Sequence, residues 1–170
     1  MKQIFIIFIL SLPILSCSEG KNDTRMKSLL LQQLKNTHTE QEWFVPTNIA
    51  LKGLSLEQAI WKDSTNNHSI VELATHLTFW NEMNLRSFNG EDMSNLNVDN
   101  DQTFKINNAS DWSMILMKLD SIQTEWEKVI GESSLEKLEE WGSEITSMTA
   151  HNAYHTGQII YIRKRNGWWP

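Results

Sequence analysis

The chain has 170 residues, the size of one domain, and its 21 acidic and 15 basic residues give a formal net charge of −6 at pH 7. No basic cluster offsets this balance, so nucleic acid is not an expected partner. A hydrophobic fraction of 40% with eight tryptophans excludes a disordered chain. The single cysteine excludes an intrachain disulfide framework and a cysteine-rich metal site.

Residues 1–16 have the pattern of a bacterial lipoprotein signal peptide. Lys2 precedes a mostly apolar run over 4–15, which is too short to span a bilayer. The run ends directly before Cys17 in a sequence that resembles a lipobox, in which the cysteine is lipidated and becomes the new N-terminus. The alternative is an ordinary signal peptide followed by a chance cysteine.

Cleavage before Cys17 removes 16 residues, including one basic residue, and leaves 154 residues with a net charge of −7. The polar segment 17–23 is expected to tether the folded domain to the lipid anchor. We therefore expect a membrane-anchored protein of the cell envelope. The absence of Asp after Cys17 favours the outer membrane over the inner membrane.

The remaining chain, 24–170, is predicted to be one all-α domain, because few glycines and prolines interrupt it and no strand pattern is present. Apolar residues three and four apart predict four long helices, over 24–37, 69–90, 110–131 and 144–165. A short helix at 43–52 and a capped turn at 55–58 are also predicted. The polar segment 91–108 is predicted to be a long crossover loop, so the expected fold is a four-helix bundle.

Three of the five histidines have the spacing of a metal site. His151 and His155 lie one helical turn apart, and His76 lies in the apolar stripe of another helix. Three imidazoles leave the fourth position of a tetrahedral ion open, which is typical of catalytic sites. Histidines bonded within the core are the alternative. His38 and His68 lie in polar segments and are not predicted ligands, although His68 is a candidate cap of the second long helix.

Three segments resemble the DinB-like superfamily. The matching residues are 50–61 (ALKGLSLEQAIW), 68–82 (HSIVELATHLTFWNE) and 151–161 (HNAYHTGQIIY). The similarity extends over about 24–170. It implies a four-helix bundle in up-down-down-up order and one divalent metal ion held by three histidines, which are His76, His151 and His155 here. Zinc and nickel are the expected ions.

The resemblance also implies candidate activities, since relatives include thiol-dependent S-transferases and isomerases. An envelope location separates this chain from the cytoplasmic thiol pool, which weakens the case for S-transfer but not for the metal site. The similarity does not imply DNA repair. The first hypothesis is therefore a metal-dependent transferase or hydrolase of unknown substrate, with Trp80 and Tyr154 bordering the pocket together with the 91–108 loop.

Glu72 and Glu82 are the nearest candidate bases, but helical phase places both away from the His76 face. This favours an alternative function, a non-catalytic bundle that binds a metal or a partner. The resemblance also implies a homodimer as one option, because relatives often pair their bundles. Trp168 and Trp169 would either form an exposed patch for such a contact or close the end of the core, and closure is the preferred prediction.

Overall fold

The structure, a computed structural model, describes residues 19–106 and 111–170, and Cys17 and the predicted signal peptide lie outside this range. The described chain is helical. Its elements are α1 (Glu19–His38), α2 (Thr47–Leu51), α3 (Leu56–Ile60), α4 (Ile70–Phe88), the 3₁₀ helix η1 (Asn100–Phe104), α5 (Trp112–Glu132) and α6 (Leu135–Arg165). None of the helices in these two ranges is long and apolar enough to cross a membrane.

The four long helices form a bundle in which α1 and α4 each pack against both α5 and α6. Helices α1 and α6 run in the same direction. Near their N-terminal ends, Met26 of α1 lies against Gly142 of α6. Further along both helices, the Thr47 hydroxyl bonds to the Thr37 carbonyl of α1 and to the Thr156 hydroxyl of α6.

The other two long helices run in the opposite direction. In α4, residue His76 contacts His151, and Phe88 contacts Trp141, so α4 is antiparallel to α6. In α5, the Gly131 carbonyl accepts a hydrogen bond from Lys27 near the start of α1, and the earlier Asp120 contacts His38 at the end of α1. Helix α5 is therefore antiparallel to α1. The order is therefore up-down-down-up, and the long 89–111 connection is needed because α4 and α5 are parallel.

Side-chain caps fix the beginnings of several helices. Ser69 accepts a hydrogen bond from the Glu72 backbone N–H, and Glu72 accepts one from the Ser69 backbone N–H, so both form the predicted capping box of α4. Ser55 and Gln58 form the same box at α3. Since Ser69 is the cap, the prediction that His68 caps this helix is wrong.

Two helices begin earlier than predicted. Helix α6 begins at Leu135, nine residues before the predicted start, because Ser134 caps it and the buried Leu138 continues its apolar face. Helix α1 begins at Glu19 and includes most of the segment predicted to be a tether. Helix α2 is shorter than predicted and begins at Thr47, directly after Pro46.

The core consists of two clusters along the bundle. One joins the α2–α3 region to α4, α5 and the last part of α6, and the other joins α1, the end of α4, α5 and the first half of α6. Trp126 is the largest fully buried side chain of the second cluster, and its ring packs beside Phe88. The three candidate ligand histidines lie on α4 and α6, the helices that the two clusters hold together.

The C-terminal end of the bundle is closed by Trp168 and Arg163. Trp168 packs against the core and contacts the edge of Trp61 at 5.8 Å between ring centroids. The buried Arg163 guanidinium donates hydrogen bonds to the carbonyls of Ala50, Lys52 and Trp168. These contacts agree with the predicted closure of the core by Trp168.

Replacing Arg163 by Met is expected to lower the free energy of unfolding by about 3 kcal/mol, because three carbonyl groups lose a charged donor. Chemical denaturation followed by circular dichroism measures this change. Arg165→Met is the matched control, since Arg165 is exposed and makes one ion pair with Asp63. Equal stability of the two variants would contradict the structural role of Arg163.

Candidate metal centre

The three predicted ligand histidines meet at the crossing of α4 and α6. His76 projects from α4 and is 2% exposed, while His151 and His155 project from successive turns of α6. The Nε2 atom of His151 lies 3.0 Å from Nε2 of His76 and 3.0 Å from Nε2 of His155. Among the described residues, these three side chains form the group that could hold a metal ion. Each offers one nitrogen, and the three nitrogens all lie within 4.8 Å of one another.

This donor set fits one tetrahedral ion. Two nitrogens bound to the same zinc ion at their usual distances lie about 3.3 Å apart, close to the observed separations. The three rings approach one another at steep angles, between 59° and 83°, so they converge on a common point instead of stacking. A divalent cation at that point would satisfy three nitrogens that otherwise have only each other as partners.

The opposite nitrogen of His76 is held by η1. Its Nδ1 lies 2.5 Å from the Thr103 hydroxyl oxygen, and that hydroxyl donates its own proton to the Asn100 carbonyl at 2.6 Å. Thr103 must therefore accept from His76, which places the ring proton on Nδ1. The lone pair of Nε2 is left facing the other histidines, as metal binding requires.

The same arrangement orients His155. Its Nδ1 lies 2.6 Å from the amide oxygen of Gln158, whose amide nitrogen donates to the Tyr154 hydroxyl at 3.3 Å. The amide oxygen therefore accepts from Nδ1, and the Nε2 lone pair of His155 also faces the centre. Two of the three ligands are thus fixed in the metal-binding tautomer by outer partners.

The surroundings keep the three rings neutral. Burial, followed by repulsion from the neighbouring His155, His151 and His68, lowers the pKa of His76 to about 3. Burial, with His155 second, lowers the pKa of His151 to about 4. Burial also lowers the pKa of His155. Neutral imidazoles are the form that binds a metal ion.

An aromatic stack supports the centre from the loop side. The Phe104 ring lies between His68 and His76, with centroid distances of 3.7 Å and 3.8 Å and nearly parallel planes. The predicted crossover loop therefore supplies two supports of His76, Thr103 and Phe104. Neither residue has a signal in the sequence, because their segment has no helical period and lies far from His76 along the chain.

A buried amide pair holds α4 and α6 in register beside the centre. The side chains of Asn81 and Asn152 exchange hydrogen bonds at 2.8 Å and 3.0 Å, and the Asn81 carbonyl accepts one from the Trp126 indole at 3.0 Å. Asn152 directly follows His151, so this pair fixes where the two helices cross. A polar residue in the apolar stripe of α4 was the available signal for Asn81.

Of the two residues predicted to border the pocket, Trp80 lies at a cavity beside the metal centre and Tyr154 lies outside it. Trp80 lines a cavity of about 400 Å³ that also reaches His151. Tyr154 is largely exposed and contacts the His155 ring at 4.9 Å, but it is not among the residues that line this cavity.

The other candidate side chains have partners away from the centre. Glu72 bonds to Ser69 and Lys62, and Glu82 bonds to Lys118, as helical phase predicted. The two ring nitrogens of His38 contact Glu127 and Asp120 at 2.7 Å and 2.9 Å, which links α1 to α5.

Thr103→Val is expected to weaken metal binding about 10- to 100-fold, because Val keeps the shape of Thr but cannot accept the Nδ1 proton of His76. Competition with a chelating dye measures the zinc affinity. Thr103→Ser retains the hydroxyl and should bind zinc nearly as the native protein does. Unchanged affinity in the Val variant would show that Thr103 does not orient His76.

Comparison with known proteins agrees with this geometry. The sequence profile of the DinB superfamily matches residues 38–159, which include all three histidines and the crossing of α4 and α6. Neither a search of curated proteins nor a search of solved structures gave a match. Because the matched region covers well over half of the chain, the protein belongs to the DinB superfamily.

Proposed function

We propose that this DinB superfamily protein is an envelope-anchored metalloenzyme, a transferase or hydrolase that holds one divalent ion through His76, His151 and His155. The observation that carries the proposal is the convergence of three Nε2 atoms, two of them in a tautomer fixed by Thr103 and Gln158. Zinc and nickel are among the ions that suit a set of neutral imidazoles, and they are the ions we propose here.

Three protein ligands leave one coordination position for a substrate or water. A divalent ion in such a site lowers the pKa of a bound water or thiol and polarises a carbonyl group. The chain itself provides the access: His151 is half-buried and lines the 400 Å³ cavity, whereas His76 and His155 are buried. Thr103, Phe104 and Gln158 hold the buried side of the centre in place.

The test is a screen of carboxylic esters, phosphate esters and pairs of a thiol with an electrophile, using protein loaded with zinc or nickel. We expect turnover of one class that a chelator abolishes and added metal restores. His151→Ala should lack this turnover. Full activity of that variant would contradict a catalytic metal centre.

A second candidate function is metal binding without catalysis. It is favoured by the positions of Glu72 and Glu82, whose ion pairs with Lys62 and Lys118 keep them from serving the centre as bases. This function predicts metal bound at native affinity with no turnover in the whole screen. Reproducible, metal-dependent turnover would contradict this second candidate and support a metal-dependent enzyme.

Membrane anchoring through lipidated Cys17 is part of the proposal and is supported by the N-terminal sequence pattern. The full chain expressed in bacteria should incorporate labelled palmitate and fractionate with the outer membrane. Cys17→Ala should lose both properties. Label retained in that variant would refute Cys17 as the lipidation site.

A further inference from the structure

The cavity beside His151 is lined by an aromatic side chain, amides and a carboxylate. Helix α4 contributes Trp80 and Asn84, η1 contributes Asn100, and the first half of α6 contributes Glu144. An aromatic ring, two amides and one carboxylate therefore surround the space next to the metal centre. Among the described residues that line this cavity, none is Lys or Arg.

Glu144 lies on the same face of α6 as His151. The two residues are seven apart, which is two helical turns, so their Cα atoms are separated by about 10 Å along the helix axis. Glu144 is exposed, and within the described part of the chain its side chain makes no hydrogen bond or ion pair. By contrast, Glu82 and Glu91 are paired with Lys118 and Arg86. The carboxylate in the cavity is thus available to a ligand.

The wall opposite Glu144 is held in place by hydrogen bonds. The Trp80 indole donates to the Asn100 side-chain oxygen at 3.3 Å, and the Asn84 amide nitrogen donates to the Trp80 carbonyl at 2.8 Å. This leaves the side-chain oxygen of Asn84 as an acceptor. A tryptophan ring, an amide oxygen and a carboxylate are the groups that bind an ammonium ion.

We infer that the cavity binds the ammonium group of a small amine-bearing substrate, with Trp80 and Glu144 around the ammonium and the reacting group directed toward His151. This inference rests on the proposed function, because it names the substrate class of the same centre. Apart from the metal ion itself, an anionic substrate finds no cationic partner among the residues that line this cavity. The net charge of −6 also favours the approach of a cation.

The test compares three probes with the same aromatic body: 4-phenylbutylamine, 4-phenylbutan-1-ol and 4-phenylbutyrate. Ligand-observed NMR measures their affinities for the metal-free protein, because a carboxylate or an amine would otherwise coordinate the zinc ion directly. The amine should bind at least about fivefold more tightly than the alcohol, and the carboxylate more weakly than both. Glu144→Gln should remove the advantage of the amine while leaving the affinity of the alcohol and the zinc content unchanged.

Glu140→Gln is the matched control, since Glu140 is exposed on the same helix but lies in a separate depression beside Trp141. It should leave all three affinities as in the native protein. The inference is overturned if the amine does not bind, if the carboxylate binds more tightly than the amine, or if Glu144→Gln leaves the preference intact. A protein that fails to bind zinc while Glu144 still selects the amine would refute the proposed function alone.

Discussion

His151→Ala should reduce the metal content of the purified protein from about one equivalent to a trace, because only two of the three ligands then remain. His151 is the central member of the set, since its Nε2 lies 3.0 Å from both other Nε2 atoms. Elemental mass spectrometry of protein purified without a histidine tag or chelator measures the content. The same loss is expected for His76→Ala.

The matched control for this loss is His68→Ala. His68 is partly exposed and stacks on Phe104, so it lies close to the centre without offering it a nitrogen. Its replacement should leave the metal content near one equivalent. Equal metal content in the His151 and His68 variants would mean that the three histidines are hydrogen-bonded core residues.

The largest loss of stability is expected for Trp126→Ala, at about 3–5 kcal/mol in the free energy of unfolding. Trp126 is 1% exposed, packs against Phe88 and donates to the Asn81 carbonyl. The change therefore leaves a large cavity between α4 and α5 and removes a hydrogen bond. Denaturant unfolding followed by circular dichroism measures the loss.

Trp43→Ala is the control for this change, because Trp43 is 98% exposed and its removal should alter stability by less than about 0.5 kcal/mol. The loss of stability in Trp126→Phe should lie between those of Trp126→Ala and Trp43→Ala, since phenylalanine keeps an aromatic ring in the core but lacks the indole donor. If Trp126→Ala unfolded at the same denaturant concentration as the native protein, the described packing of α5 on α4 would be wrong.

Local signals in the sequence predicted much of the bundle. The capping boxes at Ser55 and Ser69 mark the beginnings of α3 and α4, since both caps depend on residues three apart. The apolar stripes marked the four long helices. The start of α6 was missed because its first turns are rich in glutamate and show no clear apolar stripe, although Leu138 is fully buried there.

The three ligands were predictable, but most of their supports were not. His151 and His155 share a helical spacing, and His76 interrupts an apolar stripe, so each has a local signal. Thr103 contacts His76 across 27 positions of the chain, and its position depends on how η1 folds back over α4. Glu144 lies at the start of the predicted fourth long helix, but its place beside Trp80 in the cavity depends on how α6 packs against α4. Tertiary contacts of this kind have no periodic signature in a single sequence.

X-ray absorption at the zinc edge of the loaded protein tests the central claim most directly, because it reports the number, type and distance of the ligands. We expect three imidazole nitrogens at about 2.0–2.1 Å and one further light atom in the open position. His76→Ala, His151→Ala and His155→Ala should each lose this spectrum. A six-oxygen environment or an unchanged spectrum in all three variants would contradict a metal centre built from His76, His151 and His155.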